Sequence, residues 1–240
     1  MGRRTDGDEL GGSDLMCGEV YISQIFQNAE LGQKQGIREK YIGEDWAPAQ
    51  YRVQLPPPHG LDASDMNAKG RTIRPNQFPE SIAVWNEDAF AKRVKDIWWA
   101  GPFLTVNQRI ADVISQFDLG SGGLVPVPLF KADLETPWPE KHYYINYGGP
   151  KDTLVPEESK KVDFWFEIPD TAKKMYQLAP YLEDGDVALS RKALVGPDLW
   201  VEKAFKPMLF LNGQVVDALV AAKINVDLDL KQCRIVGELA

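Results

Sequence analysis

Two histidines, two cysteines and a handful of adjacent carboxylates are the side chains here from which catalytic or metal-binding chemistry could be built. His59 lies in the run LPPPHG, where an exposed, idle imidazole is the expected state. His142 opens the run HYYINYG, near Asp133, Glu140 and Asp152 in sequence. A general base needs a carboxylate to orient it and a nucleophile within reach. Nearness on a polar strand end supplies neither. Cys17 and Cys233 stand near opposite ends, with no second thiol close by to complete a zinc knuckle, and are expected to be reduced. Glu157-Glu158 and Glu183-Asp184 could hold a divalent cation, but solvated charge is the commoner fate of such pairs.

The run GSGG at 120–123 has the glycines of a phosphate cradle. It lacks the Lys-Ser/Thr that completes one, and it follows a helical pattern instead of leading into it, so it reads as a turn. The nucleophile-elbow and paired-histidine zinc motifs do not occur. The expectation is a protein that is not an enzyme and uses no cofactor and no metal.

Composition points toward protein partners. Carboxylates outnumber Lys and Arg 35 to 27, a net charge of −8. Nucleic acid is therefore not expected as a direct partner, because a phosphate backbone is held by basic side chains. A basic protein would meet an acidic one faster. Between Lys131 and Asp186, twelve acids face seven lysines, so the excess concentrates there. No stretch approaches the ~18 apolar residues of a membrane span, and the basic residues near the start lack the apolar run of a secretion signal. No membrane association and a cytoplasmic location are expected.

The elements that would carry such a surface can be read from periodicity. The first fifteen residues are Gly- and Asp-rich and are expected to be disordered, with one globular unit over 16–240. EVYISQIF reads as a strand, and LPPPHGLDASDMNAKG as a long exposed loop. Phe90, Val94, Ile97 and Trp98 share a helical face over 86–98, with Asn86 as cap. TVNQRIADVISQF predicts a second helix capped by Thr105, and NGQVVDALVAAK another capped by Asn212. Pro126 and Pro128 remove two amide donors from one side of LVPVPLF, which marks an edge strand. HYYINYG, VDFWFEI, DVALS and CRIVGEL complete the strands, while 200–205 reads as an irregular or helical turn. Phe103-Leu104 and Phe210-Leu211 each precede a cap, a helix and a strand, a faint internal echo. The pattern predicts an α+β fold, a mainly antiparallel or mixed sheet with a few amphipathic helices packed on it.

In VDFWFEI, alternation puts Val162, Phe164, Phe166 and Ile168 on one face and Asp163, Trp165 and Glu167 on the other. Trp165 then has two readings. It can anchor a partner while its acidic neighbours steer basic side chains, or it can be core beneath a covering helix. Asp163, Trp165, Glu167, Glu183, Asp184 and Asp186 are the candidate contact residues.

The order IWWAGPFLTVNQRIADVISQFDLGSGGLVPVPLF, HYYINYG, VPEES and DLWVEKAFKPMLFLNGQVVDALVAAKI…CRIV resembles an immunity-protein family of bacterial polymorphic toxin systems, family eleven of that nomenclature. The resemblance covers 71–236. Thr105 and Asn212 stand where the family often has Ser, both serviceable caps. The resemblance implies a protein that binds a cognate secreted toxin domain and occludes it stoichiometrically. The family's shared residues look like folding determinants, so no contact position carries over. The rival readings are an effector adaptor or chaperone of a secretion system, and an enzyme built around His142. The segment 196–219 is aromatic, and Trp200, Phe205, Phe210 and Leu211 are expected to pack inside it.

Overall fold

The computed structural model describes residues 18–25, 36–49, 60–92, 94–169, 173–205, 208–224 and 228–237. The first fifteen residues, Cys17 and His59 lie outside these. In chain order the described elements begin with strands β1 (Val20–Ser23), β2 (Ile37–Lys40) and β3 (Ala47–Pro48), helix α1 (Gly60–Ala68) and strand β4 (Ser81–Val84). Helix α2 (Glu87–Ala91), strands β5 (Ile97–Ala100) and β6 (Phe103–Asn107), helix α3 (Gln108–Ile114), and strands β7 (Gly123–Val127), β8 (Leu129–Phe130) and β9 (His142–Asn146) follow. Strands β10 (Val162–Ile168), β11 (Lys173–Leu178), β12 (Ala188–Ser190), β13 (Leu199–Val201) and β14 (Leu209–Asn212) come next. Helix α4 (Gly213–Ala221) and strands β15 (Leu230–Gln232) and β16 (Arg234–Val236) complete the set.

The fold is α+β, built from several small, mostly antiparallel sheets. Two four-stranded sheets, β5-β6-β9-β7 and β13-β14-β1-β15, carry the apolar faces of helices α3 and α4. Ile110 and Ile114 of α3 and Val215 and Leu219 of α4 meet Leu104, Val106, Leu209 and Leu211 of the sheets in one buried cluster. Each fully buried aliphatic side chain there contributes roughly 1.5–3 kcal/mol. A second cluster joins Phe78, Phe90, Trp98, Phe103 and Tyr144. The third joins Val20, Ile22, Leu189, Trp200, Phe205 and Phe210.

Several sequence expectations change. The helix over 86–98 is short: Asn86 caps it by accepting the Ala89 N–H at 2.9 Å, but α2 ends at Ala91. Ile97 and Trp98 belong to β5, where β-branched and aromatic residues gain more from pairing with β6 than from prolonging a charged helix. Thr105 is no cap. It is fully buried in β6, paired with Trp98 and Tyr144, and the cap is Asn107, whose side chain accepts the Ile110 N–H. Part of the expected loop is helix α1, in which Ala63 and Met66 reach the second cluster and override a loop-like composition. Residues 200–205 are not an irregular turn throughout, because Trp200 and Val201 are strand.

The edge predicted from Pro126 and Pro128 is present. Among the described residues β7 pairs only with β9, and Pro126 sits opposite Tyr143. Pro128 lies where the chain leaves that sheet, and the following β8 pairs in parallel with β4. The GSGG turn packs its backbone directly on Asn146-Tyr147-Gly148. A Cβ on Gly122 would stand 2.0 Å from the Asn146 carbonyl oxygen, and one on Gly148 would stand 1.9 Å from the Gly122 nitrogen. These glycines are required by contact between two backbones, not by phosphate.

Gly122→Ala is accordingly expected to cost about 3 kcal/mol, the upper part of the overpacking range. Gly43, at φ +80° with nothing within 4 Å, should lose only about 1–2 kcal/mol as Ala, from left-handed strain. Urea unfolding of both variants tests the ranking; equal losses would contradict it.

Candidate protein-binding surface

Strands β10 and β11 form a separate two-stranded ribbon. Its pairing runs Phe164↔Tyr176 and then Phe166↔Met175, so Trp165 is the extra residue of a β-bulge. A bulge resets the alternation of faces, which a strict period of two could not anticipate. Phe164, Trp165 and Phe166 are 55%, 39% and 40% exposed, three consecutive aromatics open to solvent. Trp165 is therefore not core beneath a helix. It meets Phe166 edge to face at 4.8 Å, and Phe164 meets Tyr176 edge to face at 6.2 Å.

The ribbon is held at its base. The Tyr176 N–H donates to the Ala204 carbonyl at 2.8 Å, and the Ala179 N–H closes the hairpin on Lys161 O at 3.0 Å. Val162, Tyr176 and Leu178 pack against the cluster of Trp200, Phe205 and Phe210. A groove of about 180 Å³ opens between Trp165, Tyr176, Leu178, Phe205 and Met208. Trp200 is fully buried, stacked on Phe210 at 5.6 Å, and Phe205 is stacked on Phe210 at 6.2 Å. Trp200, Phe205 and Phe210 of the aromatic segment are thus the foundation of the ribbon.

The acidic candidates fall into two groups. Asp163, Glu167 and Glu183 are exposed, with Asp163 opposite Gln177 and Glu167 opposite Lys174. Asp184 is exposed but accepts the Gln232 N–H at 2.7 Å, fastening β15. Asp186 is only 4% exposed and meets Lys161 Nζ at 3.1 Å. Burial opposes its ionisation, yet the Glu183 backbone and the Lys161 ammonium outweigh that and hold it below the usual carboxylate range. Lys161, next to β10, thereby draws the 183–186 turn to the base of the hairpin.

His142 is 1% exposed, its Nδ1 is 3.1 Å from the Glu140 carbonyl, and its ring stands edge-on to Trp98. Glu140 thus meets it through backbone, while the Glu140 carboxylate accepts from Asn107. Burial lowers the imidazole to about 4, so it is neutral. Among the described residues no three His, Cys, Asp or Glu side chains converge as a metal site. No helix among them is long and apolar enough to cross a membrane.

Beneath the ribbon, sequence reasoning missed two buried ionisable groups. Glu202 is fully buried and accepts from the Thr153 N–H, the Thr153 hydroxyl and the Lys203 N–H. Burial raises it to about 7. Lys151 donates to Ala193 O at 2.8 Å and lies 3.6 Å from the Trp200 ring centre. Burial lowers it to about 8. Both hold the floor beneath the ribbon, and only long-range pairing brings them there. Compared with known proteins, the chain matches no family model and no curated protein.

Glu202 gives this floor a pH signature. Its carboxyl binds its proton more tightly folded, near 7, than unfolded, near 4.5. Its contribution is therefore full below pH 4.5 and lost as pH rises through 7, by about 3 kcal/mol. His142 acts oppositely, losing stability as pH falls from 6.5 toward 4. Comparing Glu202→Gln with the parent removes the shared His142 effect. The parent should lose about 3 kcal/mol relative to the variant between pH 4.5 and 7.5 by urea unfolding; parallel profiles would contradict the burial argument.

Proposed function

We propose that this protein is an immunity protein that binds a cognate secreted toxin domain and neutralises it by stoichiometric occlusion in the cytoplasm. The observation that carries the reading is the run Phe164-Trp165-Phe166, exposed on a ribbon whose base is fixed in the core. Aromatic anchors beside a pocket supply binding energy at low entropic cost, and rim carboxylates set encounter rate and partner choice. Exposed Asp163, Glu167 and Glu183 favour a basic toxin face. The sequence resemblance to the immunity family supports the same reading. In this mechanism the aromatic run enters a recess of the toxin and blocks its active site or substrate path, and the carboxylates pair with Lys and Arg at the margin. No bond in the toxin is broken.

The test is co-expression with the toxin domain encoded beside this protein, scored by growth and by co-purification. Rescue with a stable complex is expected for the parent. Trp165→Ala should weaken that complex about 30-fold or more, as loss of an anchor worth at least ~2 kcal/mol does. Asp163→Asn with Glu167→Gln should instead slow association and flatten its salt dependence. Co-purification without rescue would point to an effector adaptor. Unchanged binding by Trp165→Ala would remove the ribbon from the interface.

A further inference from the structure

Two stretches of the fold repeat each other pairing by pairing. Asp96-Ile97-Trp98 and Asp198-Leu199-Trp200 each lead into a strand with a fully buried tryptophan. The carbonyl of each Asp accepts the backbone N–H of a helix-capping Asn, Asn107 and Asn212, at 2.9 Å in both cases. Each Asp carboxylate accepts from the Nδ2 of the same Asn. Each Asn Oδ1 then accepts the N–H three residues on, from Ile110 and Val215. The registers agree as well. The residue before the cap faces the residue after the Asp: Val106↔Ile97 in one, Leu211↔Leu199 in the other.

The correspondence continues outward. After α3 comes β7, and after α4 comes β15, each the fourth strand of its sheet. Beyond β7, β8 pairs in parallel with β4, the strand preceding β5. Beyond β15, β16 pairs in parallel with β12, the strand preceding β13. The other side of β4 carries antiparallel β2. The other side of β12 carries residues 153–155, through Leu154↔Leu189 and the Val155 N–H to Ala188 O at 2.9 Å.

The third strand of each sheet reveals the connection. Between β6 and β7 lies β9; between β14 and β15 lies β1. Yet β1 precedes β2 in the chain, and β9 precedes residues 153–155. Each unit's opening strand therefore sits in the other unit's sheet. Tyr21 and Tyr143 occupy the same place, opposite the residue before the cap on one side, Leu211 and Val106, and opposite Gln232 and Pro126 on the other. Neighbouring strands are usually sequential neighbours, so two such long returns at one position call for a common origin.

We infer that the chain is a tandem duplication, 20–130 and 142–236, whose opening strands are reciprocally exchanged, as in a domain-swapped dimer joined into one chain. Among the described residues the two units differ chiefly between β2 and β4, which enclose β3 and α1, and between residue 155 and β12, which enclose the aromatic ribbon. Among the described residues the ribbon belongs to the second unit alone, outside the pairings the two units share.

Hydrogen exchange on the full chain tests the exchange without any toxin. Ile22→Ala, in the first unit, is expected to speed exchange in β13, β14 and β15 about tenfold or more while sparing β5 to β7. Tyr144→Ala, in the second unit, should do the reverse. Loosening confined to each residue's own unit, or spread evenly over both, would overturn the inference. A full chain cut at a protease site inserted after Leu134 gives a second readout. After separation in denaturant, neither piece should fold as a monomer, and the equimolar mixture should recover a one-to-one complex. Either piece folding alone as a stable monomer would contradict the exchange.

Discussion

The junction between a buried strand and the helix that follows it governs this structure, and one residue type makes it twice. Asn107 and Asn212 each end a central strand, turn the chain into a helix and tie that turn to the aspartate that leads into the neighbouring strand. A carboxamide can do this because it donates and accepts at once. Its oxygen satisfies a helix N–H that would otherwise lack a partner, and its nitrogen holds the adjacent Asp. The result fixes where α3 and α4 start, and hence which of their faces meet in the shared cluster. Serine or threonine could cap the helix but could not make the second tie with the same geometry.

From those junctions the ribbon follows. The β13–β14 pair holds Trp200 and Phe210 stacked in the core, with Phe205 stacked on Phe210. Their packed rings, with Glu202 and Lys151 beside them, form a floor on which Val162, Tyr176 and Leu178 rest. A two-stranded hairpin is marginal alone in water. Here one end is anchored, and the middle of β10 presents Phe164, Trp165 and Phe166 in a settled arrangement. An anchor already held in place loses less entropy on binding than a flexible loop would.

Much of this was legible in the sequence, and the misses have physical causes. The α+β class, the Asn212 cap, the β7 edge and the packing roles of Trp200, Phe205, Phe210 and Leu211 follow from period, capping chemistry and the lack of an amide proton on proline. The helix over 86–98 failed because Ile97 and Trp98 fit a helical face and a strand equally well, and only their pairing with β6 decides. The bulge at Trp165 is invisible to a period of two, so the face assignments in VDFWFEI broke at that residue. The echo between Phe103-Leu104 and Phe210-Leu211 pointed to a real correspondence at the wrong register; cap aligns with cap, not Phe with Phe. That β1 would close a sheet nearly two hundred residues away is a property of long-range pairing alone, as is the burial of Glu202. Among the acidic candidates, composition could not separate Asp163 and Glu167, which face solvent, from Asp186, which is bound to Lys161.

The central claim is neutralisation by occupancy without turnover. Titrating a fixed amount of active toxin domain with this protein, well above the dissociation constant, measures it directly. The account predicts that residual activity falls linearly to zero at one equivalent and returns when the complex is dissociated. Complete inactivation at a small fraction of an equivalent, persisting after the protein is removed, would contradict it.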